Sequence, residues 1–64
     1  MSERELLGLQ FLIARTERTL ARNVEIERVE TVSGRFRNVY AKVKSYRVGF
    51  LTDGTRILQS WRVV

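Results

Sequence analysis

Arg35–Leu51, RFRNVYAKVKSYRVGFL, decides the fold, because its branched and aromatic residues predict one long β-strand on which the rest of the chain is arranged. Ser33-Gly34 precedes this segment and Asp53-Gly54 follows it, and both pairs are typical of turns between antiparallel strands. Two hairpins therefore share the central strand. The predicted strands cover about residues 24–32, 35–51 and 55–63.

The central strand changes which of its residues face inward. Its apolar positions are odd-numbered in the first half and even-numbered in the second. A strand of this length also exceeds the usual range of about three to ten residues. The change predicts a bulge or sharp bend near residues 44–45, and a full break there would give four strands with nearly the same pairing. The inward positions are Val39, Ala41 and Val43, then Tyr46, Val48 and Phe50.

The N-terminal segment predicts a helix over about residues 3–22. Ser2-Glu3-Arg4-Glu5 has the Ser-x-x-Glu spacing of a capping box, in which both side chains satisfy free backbone N–H groups. Asn23 is expected to take the left-handed conformation that ends many helices. An apolar stripe follows the three- and four-residue spacing of a helix. Its members include Leu6, Leu9, Ile13 and Leu20.

These elements predict an α+β fold in one domain, residues 1–64. An N-terminal helix precedes a strongly bent antiparallel meander of three to four strands, which forms a small, partly open, barrel-like sheet. The same order of elements is similar to that of Sm-like and some SH3-like small barrels. The Gly, Asp and Asn pattern of the Sm family is absent, so the likeness concerns the order of elements alone.

Each turn predicts a register. A Ser33-Gly34 loop pairs branched residues with each other and two glutamates with basic residues, and the pattern slips between Ile26 and Val29. An Asp53-Gly54 loop makes Asp53 a turn residue and Trp61 a core anchor. The first register pairs Val24 with Val43, Glu25 with Lys42, Ile26 with Ala41, Glu27 with Tyr40, and Glu30 with Arg37. The second pairs Phe50 with Ile57, Tyr46 with Trp61, and Val43 with Val64.

Composition limits the class of protein. The chain has 64 residues with neither Cys nor His, so disulfides and ordinary zinc or haem ligation are excluded. A chain this short buries only about 60% of its unfolded surface, which favours self-association. Leu7 and Phe11 lie on the flank of the helix stripe, where they either form a subunit contact or cover a curled sheet.

The sequence predicts no enzyme, no cofactor and no metal site. It has no Gly-rich phosphate loop and no base beside its hydroxyl residues. The apolar run Leu6–Ala14 is too short for a membrane helix, which needs roughly 20 residues. The absence of Cys suits a reducing compartment, so a cytoplasmic location is expected.

The distribution of charged residues along the chain indicates what kind of partner the protein binds. Residues 1–34 carry five arginines and six glutamates, whereas residues 35–64 carry seven basic residues and one aspartate. The positive charge therefore lies on the strands, and a polyanion fits it. Nucleic acid, either RNA or DNA, is the first expectation, an anionic membrane surface the second, and an acidic protein the third.

Two surfaces are candidates for nucleic acid. On one face of the central strand, aromatic rings would stack bases and basic residues would contact phosphates. The alternative is that Phe36 and Tyr40 belong to the core. A second face would bring arginines together for phosphate binding. The first surface comprises Arg35, Phe36, Arg37, Asn38, Tyr40, Lys42 and Lys44, and the second comprises Arg47, Arg56 and Arg62.

The sequence therefore predicts a small, basic, homo-oligomeric nucleic-acid-binding protein. The alternative is a non-enzymatic structural, assembly or adaptor protein that works through protein–protein contacts.

Overall fold

A computed structural model describes residues 2–63 of the chain. A helix is followed by one antiparallel sheet in which each strand pairs with the next, in the order β1-β2-β3-β4. The sheet is not closed, since β1 and β4 are its outer strands. The predicted α+β class is confirmed. The elements are α1 (Glu3–Thr16), a short 3-10 helix (Ala21–Asn23), β1 (Val24–Ser33), β2 (Phe36–Val43), β3 (Tyr46–Thr52) and β4 (Ile57–Val63).

Ser2 caps the start of α1 as predicted, but only the serine half of the capping box bonds a backbone N–H. The backbone N–H of Glu5 donates to the Ser2 hydroxyl at 3.2 Å, and that hydroxyl donates to a Glu5 carboxylate oxygen at 3.3 Å. These bonds satisfy one of the amide donors that a helix start leaves free. The first predicted boundary of the helix is therefore right.

The predicted end of the helix at residue 22 is wrong. Arg18 adopts a left-handed backbone with φ 54°, and its N–H donates to the Arg15 carbonyl at 3.3 Å. The N–H of Thr19 donates to the Ala14 carbonyl at 2.9 Å. These two bonds form a Schellman motif, which closes the helix at its last carbonyls. Asn23 instead ends the 3-10 helix, where its amide donates to the Thr19 hydroxyl at 2.9 Å.

The predicted long strand over residues 35–51 is two strands, β2 and β3. Val43 pairs with Tyr46, so Lys44 and Ser45 form a tight hairpin turn instead of a bend. Lys44 has φ 57°, and its N–H donates to the Asn23 carbonyl at 3.0 Å. The inward-facing positions do change from odd-numbered to even-numbered residues here, because the chain reverses its direction at the turn. The predicted alternative of four strands is therefore the observed one.

The first predicted register is right near the start of β1. Val24 pairs with Val43, and the next two pairs also match. A register shift then falls between Ile26 and Arg28, at the predicted slip of the pattern. Past this bulge Arg28 takes the place opposite Tyr40 that was predicted for Glu27, and Glu30 pairs with Asn38 instead of Arg37. The loop consists of Gly34 and Arg35, since Ser33 pairs with Phe36.

The second predicted register is wrong. Phe50 pairs with Ser60 and Gly49 pairs with Trp61, because residues 53–56 form the loop between β3 and β4. Asp53 does not take the positive φ of a two-residue turn, and only Gly54 does, with φ 97°. From Gln59 onward the displacement is by an odd number of residues, so it moves these β4 side chains to the opposite face. Ile57 lies before the register shift, pairs with the buried Thr52 and still packs against the core, as predicted. The predicted partner Val64 lies outside the described residues.

The core lies between α1 and one face of the sheet. Ile13, Val39, Val43 and Phe50 are fully buried there. Alternate residues of β2 point to this face, as predicted from the sequence. The opposite face of the sheet, which α1 does not cover, is called the outer face below. The buried apolar residues are Leu9, Ile13, Ala14, Val24, Val39, Ala41, Val43, Val48 and Phe50.

Candidate nucleic-acid interface

A row of four residues crosses the middle of the outer face, one from each strand. Arg28 pairs with Tyr40, Tyr40 with Gly49, and Gly49 with Trp61. Directly paired residues of antiparallel strands place their side chains on the same face. Because Val39 and Ala41 point into the core, Tyr40 points away from it. The row therefore belongs to the outer face.

Gly49 makes room for Trp61 in this row. A Cβ atom at position 49 would overlap the indole of Trp61. Glycine in a strand interior weakens the strand but permits such a close approach. The indole consequently lies across β3 toward Tyr40. The exposed fraction of Trp61 is 37%. The prediction that Trp61 anchors the core is therefore wrong, because the shift in register places it on the outer face.

Tyr40 contacts aromatic and cationic partners on its two sides. Its ring lies edge-to-face with Trp61, at 6.2 Å between centroids and 78° between planes. The guanidinium carbon of Arg28 lies 4.7 Å from the Tyr40 centroid. Both geometries are attractive, because the positive edge or charge meets the electron-rich face of a ring. The outer face thus has an ordered cluster of two rings and one guanidinium.

Phe36 extends the aromatic surface toward the β1–β2 turn. It lies on the outer face by alternation with Tyr40 and is 37% exposed. The Arg35 guanidinium lies 5.8 Å from its centroid. Phe36 and Tyr40 are therefore outside the core, and the alternative that both are core residues does not hold. Asn38 lies between them on the same face and pairs with Leu51 across β3.

Basic residues on this face have acidic neighbours. Arg47 donates to Glu27 at 2.9 and 3.4 Å, and this hydrogen bonding raises the pKa of Arg47 above its ordinary value. Arg28 makes an ion pair with Glu30 at 3.4 Å. These pairs are exposed, so solvent screens them and an incoming anion can compete for the arginines. Lys42 makes no ion pair within residues 2–63 and is half-buried between Arg47 and Glu25.

The structure does not form the predicted surface of Arg47, Arg56 and Arg62. Arg47 lies on the outer face, whereas Arg62 pairs with the core residue Val48 and lies on the helix side. The Arg62 guanidinium carbon is 4.3 Å from the Tyr46 centroid there. Arg56 belongs to the β3–β4 loop. The altered register of β4 separates these three residues.

Two further predicted residues also lie away from the outer face. Arg37 is on the helix side, where its guanidinium donates to Glu5 at 3.5 Å. Lys44 is redirected by its left-handed backbone and lines a depression together with Arg15 and Arg18. The structure therefore brings together Arg35, Phe36, Asn38, Tyr40, Lys42 and Arg47, and adds Arg28 and Trp61.

Arg28 and Trp61 were not among the site residues predicted from the sequence. The pattern around Arg28 gave one usable signal, since the predicted slip between Ile26 and Val29 leaves open which residue faces Tyr40. The signal for Trp61 was Gly49, because an isolated Gly in a strand often marks a close approach by another group.

No cluster of three or more potential metal ligands occurs in the described part of the chain. Among residues 2–63, no helix has the length and apolarity that crossing a membrane requires. A scan against models of known protein families matches none of them, and searches of curated proteins and of solved structures find no similar chain. The geometry of the outer face is therefore the basis for a functional assignment.

Proposed function

We propose that the protein binds single-stranded nucleic acid on the outer face and acts as a binding module without catalytic activity. The observation that carries this proposal is the pair formed by the half-buried Tyr40 and the exposed Trp61 on the outer face, whose ring centroids are 6.2 Å apart. Aromatic rings on an open sheet face stack with unpaired bases, at about 1–3 kcal/mol per base. Phe36 supplies a third ring on the same face.

The aromatic chemistry favours single strands over duplexes. Bases in a duplex are stacked on each other, so their faces are unavailable to Tyr40 and Trp61 unless the helix opens. The outer face is also a broad strand surface without a protruding element to enter a groove. Stacking on rings tolerates any base, so weak sequence preference is expected.

Phosphate contacts come from the basic residues that border the rings. Lys42 and Arg35 have no ion pair within the described residues, and Arg35 lies beside Phe36. Arg28 and Arg47 can exchange their exposed carboxylate partners for phosphate, because such surface pairs contribute little to stability. The net charge of +5 adds attraction at longer range.

Self-association and a cytoplasmic location belong to the same proposal. A chain of 64 residues has a small core, and Leu7 and Phe11 expose 53% and 63% of their area. The lack of Cys suits a reducing compartment.

The same exposed helix residues favour a second candidate function, a structural or adaptor protein that works through protein contacts. An acidic protein would fit the basic surface in that case. The two functions differ in how much they depend on the outer-face rings. A protein partner that binds through α1 or through charge alone does not need the Tyr40 ring.

Fluorescence anisotropy of short labelled oligonucleotides tests the proposal. Tyr40→Ala should weaken single-strand binding about 5- to 150-fold, which corresponds to about 1–3 kcal/mol. Tyr40→Phe is the matched control, because it keeps the ring and should retain most of the affinity. Equal affinity of the wild type and a folded Tyr40→Ala variant would contradict the proposal and favour the second candidate.

A further inference from the structure

The exposed side of α1 carries an apolar pair that the sheet does not cover. Leu7 and Phe11 are 53% and 63% exposed, although Leu9 and Ile13 of the same helix are buried. Residues four apart are neighbours on a helix surface, so Leu7 and Phe11 form one continuous apolar patch. Their exposure shows that these residues do not cover a curled sheet, which leaves a subunit contact as the remaining explanation for their apolar character.

The apolar pair lies in the middle of a row with opposite charges at its ends. Glu3, Leu7, Phe11 and Arg15 follow each other at four-residue intervals along α1, and all four are exposed. Such rows are the ridges that interdigitate when two helices pack in their commonest geometry. The order along the row is acidic, apolar, apolar and basic.

A row of this kind is complementary to itself when it is reversed. We propose that two copies of the chain form a two-fold symmetric dimer through antiparallel α1 helices. Leu7 of one copy packs against Phe11 of the second copy, and Glu3 lies next to Arg15 of the second copy. Two-fold symmetry makes each contact occur twice, as in other isologous interfaces.

The surroundings of the row favour this partner. Gly8, three residues before Phe11, leaves open space beside the row, because no heavy atom lies within 4 Å of the place where its Cβ would be. A phenyl ring of the second copy fits above such a position. Neither Glu3 nor Arg15 makes an ion pair within the described residues, whereas the nearby Glu5 already pairs with Arg37. Both charges at the ends of the row are therefore available to a second copy.

The dimer is independent of nucleic-acid binding. Helix α1 packs on the core face of the sheet, so a dimer through its exposed side leaves both outer faces open. The dimer rests on the self-association in the proposed function and specifies its interface, whereas a failure of the dimer would leave nucleic-acid binding on the outer face unaffected. The apolar contact would also cover part of the surface that such a small domain leaves exposed.

Analytical ultracentrifugation across micromolar concentrations tests the dimer. The wild type should dimerise, and Phe11→Glu should be monomeric with an unchanged circular dichroism spectrum. Glu3→Arg and Arg15→Glu should each weaken the dimer about 5- to 30-fold, because each converts two attractive pairs into repulsive ones. The double variant Glu3→Arg/Arg15→Glu should regain the wild-type dissociation constant within about threefold.

Arg22→Glu is the matched control, because Arg22 is exposed and lies outside α1. It should leave the dissociation constant unchanged. A wild-type chain that stays monomeric throughout the concentration range would overturn the proposal. So would a double variant that associates no better than the two single variants, since the antiparallel pairing of Glu3 with Arg15 requires the rescue.

Discussion

The indole of Trp61 lies over Gly49, in the space that a Cβ atom at position 49 would fill. This contact joins β3 to β4 on the outer face and brings Trp61 into edge-to-face contact with Tyr40. A residue without a side chain, placed in the middle of a buried strand, therefore determines the position of the largest exposed ring. The proposed binding surface depends on that position.

Gly49→Ala should displace Trp61 from Tyr40. The backbone at position 49 is an ordinary strand conformation, so the added methyl acts through its overlap with the indole. The expected result is a red shift of tryptophan emission and a weaker near-ultraviolet circular dichroism signal. Gly8→Ala is the control, since its Cβ would meet no heavy atom within 4 Å. Identical spectra for the wild type and Gly49→Ala would show that Trp61 does not need this space.

Neutralising Lys42 should lower the affinity for an oligonucleotide and should make that affinity less dependent on salt concentration. Each phosphate contact on a single strand contributes about 0.7 to the slope of log K against log salt concentration. Lys42→Gln should lower that slope by about this amount. Arg56→Gln removes the same charge from the β3–β4 loop and should leave the slope unchanged. An equal loss in both variants would mean that net charge, and not the outer face, controls binding.

Asp53→Ala should lower stability in a manner that depends on pH. The Asp53 carboxylate accepts hydrogen bonds from the backbone and hydroxyl of Thr55 and from the backbone of Arg56, which lower its pKa to about 2. A lowered pKa stabilises the folded state at pH values above the unfolded-state pKa of about 3.9. This contribution to stability disappears as the pH falls through the folded-state pKa. Urea unfolding from neutral pH down to pH 2 measures it.

The difference in unfolding free energy between the wild type and Asp53→Ala should be constant at neutral pH and shrink as the pH falls from about 4 to about 2. Asp53→Asn is a useful control, because it keeps an acceptor oxygen without a titrating charge. A difference that stays constant down to pH 2 would contradict the assigned role of the carboxylate.

The contribution of Tyr46 to stability should have the opposite pH dependence and should be lost at high pH. Its hydroxyl donates to Glu17 at 2.8 Å, and this bond, followed by burial, raises the pKa of Tyr46. A raised pKa gives stability that is complete below the unfolded value of about 10 and is lost as the pH rises through the higher folded value. The stability difference between the wild type and Tyr46→Phe should therefore decrease in urea unfolding above about pH 10. A pH-independent difference would exclude this linkage.

The sequence carried reliable information wherever a local pattern agrees with the packing. The helix cap at Ser2 and the pairing of Val24 with Val43 follow from residue types alone. The bulge after Ile26 was visible as a slip in the alternation. Alternation along β2 also placed Phe36, Tyr40 and Lys42 on one face, which is most of the candidate site.

Turns formed by atypical residues could not be predicted. Arg18 and Lys44 adopt left-handed conformations that usually select Gly or Asn, and main-chain hydrogen bonds at each site stabilise them instead. These bonds depend on tertiary placement. The helix end was therefore not determined by residue type. At residues 44–45 the alternation predicted the place of a bend or break but not the tight turn.

The loop after β3 had the largest effect on the site. Asp53-Gly54 predicted a two-residue turn, but the Asp53 side chain caps a longer loop by accepting bonds from Thr55 and Arg56. The resulting change of register moved Trp61 to the outer face and Arg62 to the helix side. The longer loop and the register shift between Leu51 and Thr52 thus separate the arginines of the predicted surface and form the aromatic surface instead.

Quenching of Trp61 fluorescence by an unlabelled single-stranded oligonucleotide tests the central claim most directly. Trp61 is the only tryptophan in the chain, so its emission reports on the outer face alone. The account predicts saturable quenching by single strands, little by a duplex of the same sequence, and weaker affinity in Tyr40→Ala. Binding of the single strand, detected by anisotropy, with no change in Trp61 emission would contradict it.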